Sequence, residues 1–135
     1  MGRGSGGVTG TKRGSNKVSG ASAIEQVSTV KDKLGLAIRQ KDTAKIAAAE
    51  SQLKTVSRKL DEPTLVAQHY TALRQAAILE TKPPQGFTTT QIKNQYDMRV
   101  KSEFIFRKEL QRRNPKKYSA DWYVDLVSKT NKNIN

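Results

Sequence analysis

The chain has 135 residues, with 25 Lys and Arg against 12 Asp and Glu, a formal charge of +13 and a pI near 10.2. It carries no cysteine and one histidine, which excludes a disulfide-stapled scaffold, a Cys-ligated zinc site and a cysteine nucleophile. One compact domain suits this length, and no run of about 18 apolar residues offers a membrane span.

Hydrophobic residues make up 35% of the chain, so the core is expected to be modest. A charge of +13 on so short a chain attracts polyanions and repels itself. Nucleic acid is the partner class this favours; an anionic membrane surface or an acidic protein also fits.

Residues 1–21 read as a basic Gly-rich arm. Gly2, Gly4, Gly6, Gly7, Gly10, Gly14 and Gly20 lie here with Arg3, Lys12, Arg13 and Lys17, and the first acid is Glu25. Glycine makes ordering costly and there is almost nothing apolar to bury, so disorder in the free chain is expected. Such an arm can follow a phosphate backbone. Gly2-x-Gly4-x-Gly6-Gly7 resembles a dinucleotide fingerprint only superficially, because no strand precedes it.

The pattern turns helical at Ser22, and residues 22–135 are expected to form an all-α bundle of four to five helices. Ser22-x-x-Glu25 reads as a capping box opening a helix over 22–40, with Ile24, Val27, Val30, Leu34 and Ile38 as its apolar side. Gly35 weakens that helix and suggests a close packing contact. Asp42 is the expected N-cap of a helix over 42–61, where Ile46, Ala49, Leu53, Val56 and Leu60 form a seam. The two helices make an antiparallel hairpin, and Glu50 and Lys54 form an i,i+4 pair.

Pro63 sits near the start of a helix over 63–81. Leu65, Val66, His69, Tyr70, Leu73, Ala76, Ala77 and Leu79 carry its apolar side. His69 reads as a packed side chain, since no second histidine or other obvious partner accompanies it. Lys82-Pro83-Pro84-Gln85-Gly86 breaks the chain. A threonine near Thr90 caps a helix over 90–114, on which Ile92, Tyr96, Val100 and Phe104 recur every four residues. Pro115 ends it. Ser119 caps a last helix over 119–130 holding Trp122, Tyr123, Val124, Leu126 and Val127, and the tail beyond is expected to fray.

Bases concentrate between Lys93 and Lys117: Lys93, Arg99, Lys101, Arg107, Lys108, Arg112, Arg113, Lys116 and Lys117, against Asp97, Glu103 and Glu109. Four of them cluster where the helix ends, with Tyr118 and Trp122 following. Cations there complement the helix dipole, and arginine forks can also hold phosphates bidentately. A second set, Lys31, Lys33, Arg39, Lys41, Lys45, Lys54, Arg58 and Lys59, runs along the hairpin and reads equally well as a solvated face. No zinc-finger spacing, RNP motif or KH clamp is present, so phosphate positioning is expected rather than base readout. Eight such contacts give a slope of log K against log salt near −7 for duplex DNA. Paired carboxylates, a metal-ligand cluster and a nucleophile arrangement are lacking, so the reading is non-enzymatic, without catalytic residues, metal or cofactor.

The run MGRGSGG…TKRGSNK ahead of a cysteine-free helical body resembles the major coat (nucleocapsid) proteins of filamentous and rod-shaped archaeal DNA viruses. The resemblance implies a helical bundle with an N-terminal extension, wrapping linear double-stranded DNA held in A form. It implies self-association, or pairing with a paralogous coat protein, and a place in the virion and the host cytoplasm. By that likeness Arg3, Lys12, Arg13 and Lys17 meet DNA from the arm. Arg99, Arg107, Arg112, Arg113, Lys116 and Lys117 meet it from the body, with Lys101 and Lys108 beside them. The alternative is a small basic ribosomal or other RNA-binding protein, located on the ribosome. A membrane-surface or partner-binding module is a third class.

Overall fold

A computed structural model describes residues 20–134, and Arg3, Lys12, Arg13 and Lys17 of the expected arm lie outside the described residues. The described chain is all-α. It has five helices: α1 (Gly20–Gln40), α2 (Thr43–Lys59), α3 (Glu62–Thr81), α4 (Thr89–Arg113) and α5 (Ala120–Ile134).

Local chemistry accounts for most of the boundaries. Asp42 caps α2, its carboxylate accepting from Lys45 N at 3.1 Å. Before it, Lys41 takes a left-handed φ of 55°. Lys41 N donates to Ile38 O and Asp42 N to Ala37 O, the paired bonds of a Schellman ending. Two helices therefore meet across a turn that satisfies both termini. Asp61 caps α3 by accepting from Thr64 N at 2.9 Å, with Pro63 in the first turn, where a missing N–H does no harm. Thr88, two residues before Thr90, caps α4 in a reciprocal box with Gln91. Asn114 ends α4 ahead of Pro115.

Two expected boundaries are corrected. Helix α1 already runs at Gly20, so Ser22 lies within its first turns and its hydroxyl accepts from Gln26 Nε2 rather than capping. The anchor of that turn is Ala23, fully buried, while Ile24 points to solvent. Helix α5 continues to Ile134 instead of fraying after residue 130. Thr130 is buried and its hydroxyl donates to Leu126 O, and Lys82 Nζ donates to Ile134 O at 3.1 Å. A cation on a carbonyl end both satisfies a free acceptor and complements the dipole.

Helix α4 is the organising element and packs against α1, α2 and α3, while α5 lies mainly along α3. Leu34, Leu53, Leu60, Leu65, Phe106 and Leu110 are the large side chains at the centre. The small Ala72 and Ala76 on α3 allow α4 to approach closely. The four-residue stripe expected on α4 does not hold. Val100 and Phe104 are exposed, and Met98, Ser102, Phe106, Glu109 and Leu110 are buried in their place. At 3.6 residues per turn a strict step of four drifts about 40° each time, so three steps carry Phe104 off the face that Ile92 begins.

Gly35 is buried, yet a Cβ there would meet only the Arg39 guanidinium, at 3.8 Å. The expected close helix contact is not present. Gly35→Ala should therefore raise stability by about 0.5–1 kcal/mol through helix propensity, read as a higher midpoint in urea with an unchanged slope.

Candidate nucleic-acid interface

The cations predicted to bind are not equivalent once their partners are in view. Glu103, buried on α4, accepts from Arg107 Nε at 2.7 Å and lies 2.8 Å from Nε2 of His69 on α3. Burial pushes the Glu103 carboxyl up, but hydrogen bonds from His69 and Arg107 outweigh it and hold it below its ordinary value. An ionised carboxylate only accepts, so His69 Nε2 carries the proton and donates it. Arg107 then lies over the ring of Tyr123 on α5, 4.1 Å from its centroid. His69 thus has a charged partner, against expectation, from a helix 34 residues away.

Glu109, also buried, is the second such centre. Arg112 grips it with two bonds of 2.9 and 2.7 Å, and Arg113 Nε adds a third at 2.8 Å. Arg113 Nη2 goes on to the carbonyls of Ser57 and Arg58 at the end of α2. Its side chain is 16% exposed, against 59% for Arg112. Arg107 and Arg113 therefore hold the fold together and present little of their forks to a ligand. Lys117 pairs with Glu62 at 2.8 Å, and Tyr118 hydroxyl bonds the same carboxylate. Lys116 is exposed. Arg99 is half-buried on the side of α4 facing α1 and α3, apart from the others.

What the packing brings together instead is a groove of about 520 Å³ between α2 and α4. Lys54 and Arg58 line it from α2, Lys108 and Arg112 from α4, with Glu50 and Glu109 as the acids. Glu50 faces Lys101 Nζ at 3.7 Å rather than forming the expected pair with Lys54. Among the described residues neither Lys54 nor Lys108 has an ion-pair partner within 4 Å. On the groove wall Phe104 is 49% exposed, with Lys108 Nζ 5.3 Å from its ring centroid. A trough with four cations at its walls and a half-exposed aromatic ring, flanked by Arg107 and Lys108, can seat a phosphate chain and pack a sugar or base edge.

No family model, no curated protein and no solved structure matches this chain.

Lys54 and Arg58, which line the groove, belong to the hairpin set whose sequence reads equally well as a solvated face. A signal for them exists in the sequence. Lys54 and Arg58 stand four apart on one helix, and Phe104, Lys108 and Arg112 repeat every four on another. Each set shares a helical face. Only the pairing of α2 with α4 places the two faces on one groove.

Among the described residues no helix is long and apolar enough to cross a membrane, and no three His, Asp or Glu side chains converge as metal ligands.

Burial likewise pushes the Glu109 carboxyl up, but bonds from Arg112 and Arg113 outweigh it and hold it below the ordinary 4.5. A carboxyl with a depressed folded pKa stabilises fully above its unfolded value and loses that contribution as pH falls through the folded one. The stability these two carboxylates contribute should thus be constant near neutrality and fall below about pH 4.5, with Glu103→Gln and Glu109→Gln each shallower in their acid dependence. Glu103→Ala, which strands Arg107 and His69, should cost about 3–5 kcal/mol at pH 7 in chemical denaturation.

Proposed function

We propose that this protein is a non-enzymatic, structural nucleic-acid-binding protein that coats linear duplex DNA through sequence-independent phosphate contacts, as the coat protein of a viral nucleocapsid does. The observation that carries the reading is the α2–α4 groove, where Lys54, Arg58, Lys108 and Arg112 line one trough beside the half-exposed Phe104 ring. Its contacts are ones of charge and shape.

A coat also needs copies that adhere. Val124 on α5 is 66% exposed, and Phe87, Val100 and Leu36 stand open on other faces. These apolar side chains support lateral contact between neighbouring copies, or with a paralogous partner, once a polymer has aligned them. In this reading the protein resides in the virion, and the arm bases Arg3, Lys12, Arg13 and Lys17 add contacts along the same backbone.

Two experiments test the proposal. Negative-stain microscopy of the full chain with linear duplex DNA at low salt should give uniform filaments whose length follows the DNA. Discrete particles, or filaments formed only with RNA, would overturn the duplex-coat reading in favour of an RNA-binding one. In solution, Lys54→Gln with Lys108→Gln should reduce the slope of log K against log salt by about 2. Arg113→Gln should lower thermal stability yet change that slope by less than about 0.5, because its fork already serves Glu109 and α2.

A further inference from the structure

A second basic feature lies on another side of α4, in a pocket of about 260 Å³ between α1, α3 and α4. Its lining includes Lys31, Asp32 and Ser28 from α1, Gln68 from α3 and Arg99 from α4. Arg99 and Lys108 differ by nine positions, roughly half a turn apart at about 100° per residue, so this pocket and the α2–α4 groove open in different directions.

The pocket holds positive charge that the fold leaves under-compensated. Lys31 and Arg99 are both partly withdrawn from water and line the same pocket, with Arg99 near enough to oppose the Lys31 charge. Burial first, then the neighbouring Arg99, pushes the Lys31 ammonium down to about 8, with Asp32 only partly opposing. Burial lowers Arg99 in the same sense, again against Asp32. Among the described residues neither cation forms an ion pair within 4 Å. Two half-buried cations of like sign strain a fold unless an anion joins them. The other polar groups present are the Asp32 carboxylate, one negative charge against two positive, and a serine hydroxyl and a glutamine amide, the last two able to donate to an oxyanion.

We propose that the α1–α3–α4 pocket binds a single phosphate group of the nucleic-acid backbone, held by the Lys31 ammonium and the Arg99 guanidinium with Ser28 and Gln68 as neutral donors. The proposal rests on the nucleic-acid reading and deepens it, since it gives the body a second phosphate site turned away from the groove. A coat protein with phosphate sites on two sides of one helix can hold a strand that bends around it, or two neighbouring segments.

The test uses the full chain labelled with 13C at lysine and follows the Lys31 side chain by NMR. Inorganic phosphate should raise the Lys31 titration midpoint by at least one pH unit above the value in chloride of equal ionic strength, and a short duplex should do the same. Phosphate binding should weaken as pH rises through 8–9 and the free-state ammonium is lost. Arg99→Gln should abolish the phosphate-induced rise. Lys31→Gln should weaken duplex binding about tenfold at low salt, while Lys31→Met, which removes the buried charge, should raise thermal stability. That variant shows whether lost binding comes from a damaged fold.

A Lys31 midpoint indifferent to both phosphate and duplex would overturn the proposal. A response to inorganic phosphate alone would overturn the backbone assignment and leave a free-oxyanion site. If Lys31 variants bind duplex normally while Lys54→Gln with Lys108→Gln do not, the pocket assignment fails and the groove reading stands. If Lys31 responds to phosphate and duplex binding is lost in none of the variants, the groove reading fails with the backbone assignment.

Discussion

The fold depends on two buried carboxylates on one helix. Glu103 and Glu109 lie within the protein on α4, and an uncompensated charge there would be untenable. Each is met by cations from its own helix and relayed to neighbours. Through Glu103 the relay reaches His69 on α3 and, by way of Arg107, Tyr123 on α5. Through Glu109 it reaches Arg113 and the carbonyl end of α2. The core around Phe106 and Leu110 supplies apolar burial between these anchors. These two centres tie α4 to α3, α5 and the end of α2, while α1 is held by apolar packing.

This assignment reorganises the basic chemistry of the chain. A count along α4 finds many bases and few acids, and treats the excess as ligand-binding. In three dimensions the acids recruit particular arginines. Arg107 and Arg113 become internal struts, and Arg112 is shared between Glu109 and the groove. Lys54, one of the hairpin set, and Lys108 have no ion-pair partner among the described residues and line a common trough. The division follows the chemistry of the two side chains. A guanidinium can bind a carboxylate through one N–H while extending another to carbonyls, as Arg113 does, whereas an ammonium is a hydrated point charge suited to a mobile phosphate.

Local rules read the helices well and the partnerships poorly. Asp42, Pro63 and Pro115 mark their boundaries because capping and proline geometry act within a few residues. The seam from Ile46 to Leu60 carries the buried Ala49, Leu53 and Leu60 because α2 keeps a 3.5-residue rhythm along the single side on which α1 and α4 meet it. Helix α4 misleads because it has neighbours on several sides. Its buried face includes Ser102, Glu103 and Glu109, which no apolar pattern selects, while Phe104 stands in solvent. His69 likewise finds its partner only through the packing of α3 on α4. Glu50 reaches Lys101 on another helix although Lys54 is one turn away on its own. The candidate groove was legible as two sets of cations spaced by four, but their convergence depends on helix pairing.

The buried acids and the half-buried bases follow opposite logic, and the contrast bears on function. Glu103 and Glu109 are each matched within the chain, so their ionisation supports folding. Lys31 and Arg99 are not matched in this way, and burial works against their charge. A sequence under selection for stability alone could place an apolar side chain at Lys31, among Val27, Ile24 and Met98, and relieve that strain. Retaining two cations in a confined pocket makes sense when a third, negative group completes it. The same argument scales to the whole molecule: a chain of charge +13 is relieved of self-repulsion when polyanion surrounds it. On the proposed function, a phosphate backbone is the counter-charge that the chain's 12 acids, two of them committed inside to α4, leave unsupplied against 25 bases.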